Sequence, residues 1–356
     1  MQAGVTSASD IAASRKQNGE AMTSGMTITI GLGLMLAAGT AWCQTPAPVP
    51  AQAHAPVAQT NWWSAPGRED GPSRIVWAAQ KTPETPYRGP NRPIWHIAEI
   101  LKAHQGRQSW DQQVLLTPDF DGHYISMAPG EKTKCMFYAD DRAFGWIYSG
   151  QVRIIIDGQE QRILSKGWAF NVAPRLSYCM QNTGDEPVVF FRVTPAGQVP
   201  SYPENETPTP VQGYTYVKAR ITSTGGYDAP NVPFFDVDSY GASDRKGERF
   251  LLDGHTNANL HLDSNIADLP PAASWGHFHE NMAEAWVDVY GQIDVLISGA
   301  GLVHGERGDV IQANEERWHR ATSHPNTGKS IRMAITSRAK EGQVLYLQAS
   351  AGAGEN

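Results

Sequence analysis

Two stretches of this chain repeat one another at a fixed distance, which restricts it to folds built from two copies of one unit. Gly150-Gln151-Val152 leads into the alternating Ile154 and Ile156 and then Asp157-Gly158. Gly291-Gln292-Ile293 leads in the same way into Val295 and Ile297 and then Ser298-Gly299, an offset of 141. The same offset carries Gly167 onto Gly308. Further upstream, Tyr124-Ile125-Ser126-Met127 pairs with Leu260-His261-Leu262-Asp263 at an offset of 136, so five extra residues enter the second copy around Ser264–Ser274.

Each copy reads as short strands of alternating apolar residues broken by Gly, Pro, Asn and Asp. The spacing predicts strands at 123–128, 144–148, 151–156, 168–172 and 187–193, and again at 258–262, 284–289, 292–297 and 331–337. Many short strands with regular turn signals suggest a sandwich or barrel; a double-sheet jelly roll closes such strands well, and the expected fold class is all-β, two jelly-roll barrels with a few short helices. The clearest helix runs from Pro93 to Gln105, with Ile94, Ile97, Ala98 and Leu101 on one face and Gly106 just past its end. The Pro-rich polar stretch Gly197–Pro210 is the expected boundary between the copies.

With 36 acidic against 29 basic residues and a net charge of −7, the chain has no basic patch for a nucleic-acid backbone. The apolar run from Ile28 to Ala38 is too short to span a bilayer and suits a secretory signal, with Arg15 and Lys16 upstream and Ala41 and Cys43 at a small-x-small cleavage position. The expected division is a signal at 1–43, a Pro/Ala-rich tether at 44–60, a first barrel at 61–205, a second at 206–348 and a disordered tail at 349–356. A periplasmic or secreted protein with no integral membrane span after cleavage follows. Lipidation at Cys43 is disfavoured because Trp42 does not fit a small-residue lipobox. In an oxidising compartment Cys135 and Cys179 can pair, since the repeat places them on neighbouring strands facing away from the first barrel's lumen.

The second copy holds His277-Phe278-His279, then Glu284, Gly291, Gly308 and His319. Period-two geometry turns His277 and His279 to one face of a strand. The four intervening residues let the chain return Glu284 on a neighbouring strand. Three imidazoles and a carboxylate converging inside a barrel form a nitrogen/oxygen site for Fe, Mn, Ni, Cu or Zn. Trp286 and Asp288 share the inward face with Glu284 and are candidate substrate-binding residues. Arg317 either reaches the pocket to bind a substrate carboxylate or is exposed. His255, His261 and His304 read as solvated or core histidines, and Arg332 and Arg338 as surface charges.

These residues carry a family resemblance. HFHENMAEAWVDVYG resembles the first cupin motif without a gap, and GDVIQANEERWH is similar to the second. Asn314 stands where that family usually has Pro, Glu316 where it has Gly, and Ser323 where Asn often occurs. The first copy has Met136, Tyr138, Ala143 and Tyr178 at the four ligand positions and is read as scaffold. The resemblance implies a bicupin with one divalent transition metal per chain, Fe(II) favoured, and Glu284 as ligand or general base. It also implies a small-molecule substrate and dioxygenase chemistry, with a lyase, isomerase or decarboxylase, or a non-catalytic binding module, as alternatives. A homo-oligomer is left open.

Overall fold

The computed structural model describes residues 83–227, 232–242, 249–252, 256–264, 276–279, 282–327, 329–337 and 344–346. The expected signal, tether and tail, and residues His255 and Arg338, lie outside them.

The first copy begins with β1 (Ile94–Trp95) and α1 (Ile97–Ala103). It continues through β2 (Trp110–Leu116), β3 (Phe120–Met127), β4 (Ala143–Ser149), β5 (Gln151–Ile156), β6 (Arg162–Ser165), β7 (Trp168–Val172), β8 (Tyr178–Asn182) and β9 (Val188–Pro195). The second begins with β10 (Phe234–Asp236) and α2 (Val237–Ala242). It continues through β11 (Arg249–Leu252), β12 (Thr256–Ser264), β13 (Gly276–Phe278), β14 (Glu284–Tyr290), β15 (Gln292–Ile297), β16 (Gly301–Glu306), β17 (Val310–Ala313), β18 (His319–Ser323), β19 (Lys329–Ser337) and β20 (Val344–Tyr346). The expected all-β class is what the chain adopts. At an offset of 141, β4, β5 and β8 fall on β14, β15 and β18 residue for residue, and at 136 β3 starts where β12 starts. Even the irregularity is copied: β4 slips register between Ile147 and Ser149, and β14 between Asp288 and Tyr290.

Each barrel is two sheets around an apolar lumen. The first has the order β10-β7-β4-β9-β3-β2 facing β6-β5-β8, and the second β1-β17-β14-β19-β12-β11 facing β16-β15-β18-β13-β20. The leading strands are exchanged. Ile94 of β1 pairs with Ile311 in the second barrel, and Phe234 of β10 pairs with Phe170 in the first. Because 170 and 311 are repeat partners, the two exchanges are equivalent. Strand pairing thus crosses the expected 205/206 boundary in both directions. The segment after it also stays on the first barrel, where Ser201 bridges Phe137 and the Gly225 amide donates to the Pro174 carbonyl at 2.7 Å.

The expected helix from Pro93 to Gln105 is shorter at both ends, running Ile97–Ala103. Pairing with β17 extends Ile94 and Trp95, and Asp309 Oδ1 accepts the Ile97 amide at 2.9 Å, starting the helix there. Its buried face is Ile97 and Ile100. Both belong to a third core, formed by the outward faces of the two six-stranded sheets: Phe120, Tyr124, Trp146 and Phe191 from one, Val287, Val310, Ile331 and Met333 from the other. Each such side chain contributes roughly 1.5–3 kcal/mol on burial, so the seam between the barrels is a core in its own right.

Cys135 and Cys179 are joined by a disulfide across 44 residues. A loop of that length, closed in the unfolded chain, is worth about 4 kcal/mol by chain entropy.

Candidate metal centre

β13 places His277 opposite His319, the first residue of β18, and His279 follows directly after the strand. Glu284 opens β14 and pairs with Ala313 of β17. The carboxylate therefore comes from the sheet facing the histidines, not from a neighbouring strand as the spacing suggested, because the chain crosses the barrel between β13 and β14. Gly276 makes the histidine side possible. A Cβ there would stand 2.2 Å from the Trp318 ring and 2.4 Å from the His319 carbonyl oxygen, so only glycine lets the two strands approach.

The four side chains are all buried and their donor atoms lie within 4.8 Å of one another. Glu284 Oε2 is 2.9 Å from His279 Nε2, 3.1 Å from His319 Nε2 and 3.8 Å from His277 Nε2. His319 Nδ1 donates to the Arg317 carbonyl at 2.9 Å, which leaves its Nε2 as the lone-pair atom facing the carboxylate. Burial, and then the neighbouring His319, holds the His277 imidazole well below the ordinary histidine range; burial lowers His319 too, against the pull of Glu284. Burial alone would raise the Glu284 carboxyl, but the nitrogens of His277, His279 and His319 around its oxygens hold it well below the usual carboxylate range. A carboxyl held toward its ionised form beside His277 and His319 held toward their neutral forms is what metal ligation requires of such groups. Lone pairs converging at about 3 Å are what a cation between them satisfies, so the donor set fits a divalent transition metal.

Trp286 is inward and buried, as alternation predicts. Its indole N–H donates to Glu284 Oε1 at 2.9 Å, and its ring lies 5.0 Å from that of His319. Asp288, two residues further along β14, is buried and in register with Arg332. Arg332 is therefore no surface charge. It is buried on β19, with its guanidinium carbon 6.0 Å from the centre of the Trp286 ring.

Arg317 takes neither of its expected places. It is buried, and its guanidinium is held by residues 84–87: Nε donates to the Thr85 carbonyl at 3.1 Å, Nη1 pairs with Glu84 at 3.0 Å, and the group stacks 4.5 Å over Tyr87. Asn314, where cupins usually have Pro, donates to the Pro86 carbonyl at 3.1 Å. Glu316, where they have Gly, keeps the left-handed backbone at φ 65°, and its amide donates to the His279 carbonyl at 2.8 Å. The first barrel solves the same turn alike, with Arg175 at φ 62° and its amide on the Tyr138 carbonyl at 2.8 Å.

Sequence reasoning missed Gly276, Arg332 and the 84–87 arm. A glycine directly before His-x-His was a signal for the first. The arm left none, since Glu84 and Arg317 are 233 positions apart.

In the first barrel the ligand positions have changed character together. Tyr138 and Tyr178 are buried where His279 and His319 stand in the second. Arg192 of β9 lies opposite Gly145 of β4.

No family profile and no curated protein matches the sequence. Solved structures do match the fold. A salicylate 1,2-dioxygenase from Pseudoaminobacter salicylatoxidans, solved as adducts with gentisate, aligns with a TM-score of 0.51 at 11% identity, over 72% of this chain and 85% of its own. A variant of the oxalate decarboxylase of Bacillus subtilis aligns with a TM-score of 0.42 at 11% identity, over 74% and 81%. The dioxygenase shares the fold of two jelly-roll barrels, and in this chain a three-histidine, one-glutamate group stands in the second barrel. Among the described residues, no helix is long and apolar enough to cross a membrane.

Proposed function

We propose that the chain is a metal-dependent enzyme acting on a small organic substrate, with dioxygenase chemistry the leading reading. The observation that carries it is the buried convergence of His277, His279, His319 and Glu284. Fe(II) in such a set supplies redox chemistry toward dioxygen, while Mn, Ni, Cu or Zn would supply a Lewis acid. The chain's own residues do the rest. Trp286 fixes Glu284 so that Oε2 faces the histidines, and Glu284 is the group available to take a substrate proton. Trp286, Ile293, Val295, Ile297 and Ile311 make an apolar wall that excludes water. Asp288 and Arg332 add charge further along the same lumen; with Arg317 held by the arm, Trp286 and Asp288 are the substrate contacts we favour.

Export is part of the reading. The Ile28–Ala38 run with its flanks supports a cleaved signal, and the Cys135–Cys179 disulfide supports an oxidising compartment. A division into a scaffold barrel and a metal barrel near residue 205, apart from the leading strand each half lends the other, is supported by the matching bounds of β4, β5 and β8 with β14, β15 and β18.

The test is elemental analysis of protein purified without oxygen, followed by oxygen-uptake assays with enol, catechol and β-diketone substrates. One transition metal per chain is expected, lost in His279→Ala and kept in Tyr138→Ala, with oxygen consumed in step with substrate. A His279→Ala protein that retains metal and turnover overturns the site. Metal-dependent turnover without oxygen uptake moves the reaction to a lyase, isomerase or decarboxylase.

A further inference from the structure

A second group of metal-capable side chains stands outside the lumen, on the outer face of the second barrel. Asp294 on β15 lies opposite His304 on β16, and His324 follows β18, the strand on the other side of β15. Ile293, Val295 and Ile297 point into the lumen core, so the alternate Asp294 points out. The donor atoms of Asp294, His304 and His324 lie within 4.8 Å of one another. His304 Nδ1 is 2.5 Å from an Asp294 carboxylate oxygen, and the two imidazole rings meet edge to face at 4.4 Å.

We infer that these three residues form a second cation site, for a borderline divalent ion of the zinc, nickel or copper kind. Two imidazoles and one carboxylate are the donors such ions prefer over oxygen-only sets. Asp294 and His304 stand on paired strands, and His324 directly follows a third, its amide bonded to the Gln292 carbonyl, so the ligands are displayed by a rigid frame, while the side chain of His304 is half exposed and leaves the site open to water. The repeat offers a control within the molecule. At an offset of 141 the first barrel has Arg153, Ile163 and Thr183 in these places, none of them a ligand, so the frame does not need the trio in order to fold. The site is weaker than the lumen cluster for a visible reason. The Asn326 amide donates to His324 Nδ1 at 3.2 Å, and ligation through Nε2 moves the ring proton to Nδ1 and gives up that bond. A bound ion would join β15, β16 and the end of β18 in one clip, and so raise thermal stability by mass action.

The inference is independent of the lumen site and its chemistry. Its test starts from protein whose lumen metal has been quantified, titrated with zinc chloride by calorimetry, then desalted for elemental analysis and melted. One further equivalent of zinc per chain and a higher Tm are expected. His304→Gln and His324→Gln, both substitutions on an outer face, should each weaken that equivalent at least tenfold and leave the lumen metal unchanged. No zinc uptake beyond the lumen site, or an extra equivalent that persists in both variants, overturns the proposal.

Discussion

The indole N–H of Trp286 ties down one oxygen of Glu284 and so decides which oxygen meets the histidines. A group that holds a ligand in place typically governs metal affinity by 10–100-fold. Trp286→Phe keeps an aromatic ring in the core and removes only the donor, so metal affinity measured by chelator competition should fall by about 10–100-fold while the fold survives. Unchanged affinity would mean that Glu284 orients itself. At this scale the convergence of the four side chains was legible, because His-x-His with Glu and Gly at fixed intervals states both a face and a spacing. The partner of Trp286 was not. Alternation gives the side of a strand, but a hydrogen bond depends on where a second side chain arrives. Arg317 makes the same point, since the carboxylate that neutralises it comes from the far end of the chain.

At the scale of single elements, β2 and β3 are joined by a pH-dependent clasp. His123 on β3 lies between Asp111 on β2 and Asp121, with Nε2 2.9 Å from the Asp121 carboxylate. Burial alone would lower its pKa, but the hydrogen bonds to the two aspartates outweigh that and raise it from 6.5 to about 9. The folded value lies above the unfolded one, so the clasp stabilises fully below about pH 6.5 and its contribution is lost as pH rises through 9. Thermal melts between pH 6 and 10 should show Tm falling over that window, and His123→Gln should flatten the slope. An identical slope in the variant would place the effect elsewhere. Alternation placed the strands at 151–156, 168–172 and 292–297 to the residue, while β2, β8, β16 and β18 had no expected counterpart. The two- and three-residue β1 and β10 were not readable, because so short a strand is defined by its partner, and both partners belong to the other barrel.

For the whole molecule, the consequence of the exchanged leading strands is that each half is incomplete without the other. Two separate copies of the repeat that traded their first strand and helix would make a swapped dimer, and this chain is that dimer with its subunits joined end to end. The join runs through an exposed stretch that includes Tyr214, Val217 and Ile221. A protease site placed there and cut should leave both fragments in one particle on gel filtration, the lumen metal still bound, parting only under denaturant. Fragments that separate in native buffer would show that the peptide link, not the exchange, holds the barrels. If they stay together, neither half can be expressed or lost by itself, and the barrel with Met136, Tyr138, Ala143 and Tyr178 in place of ligands is indispensable because its twin is built partly from its chain.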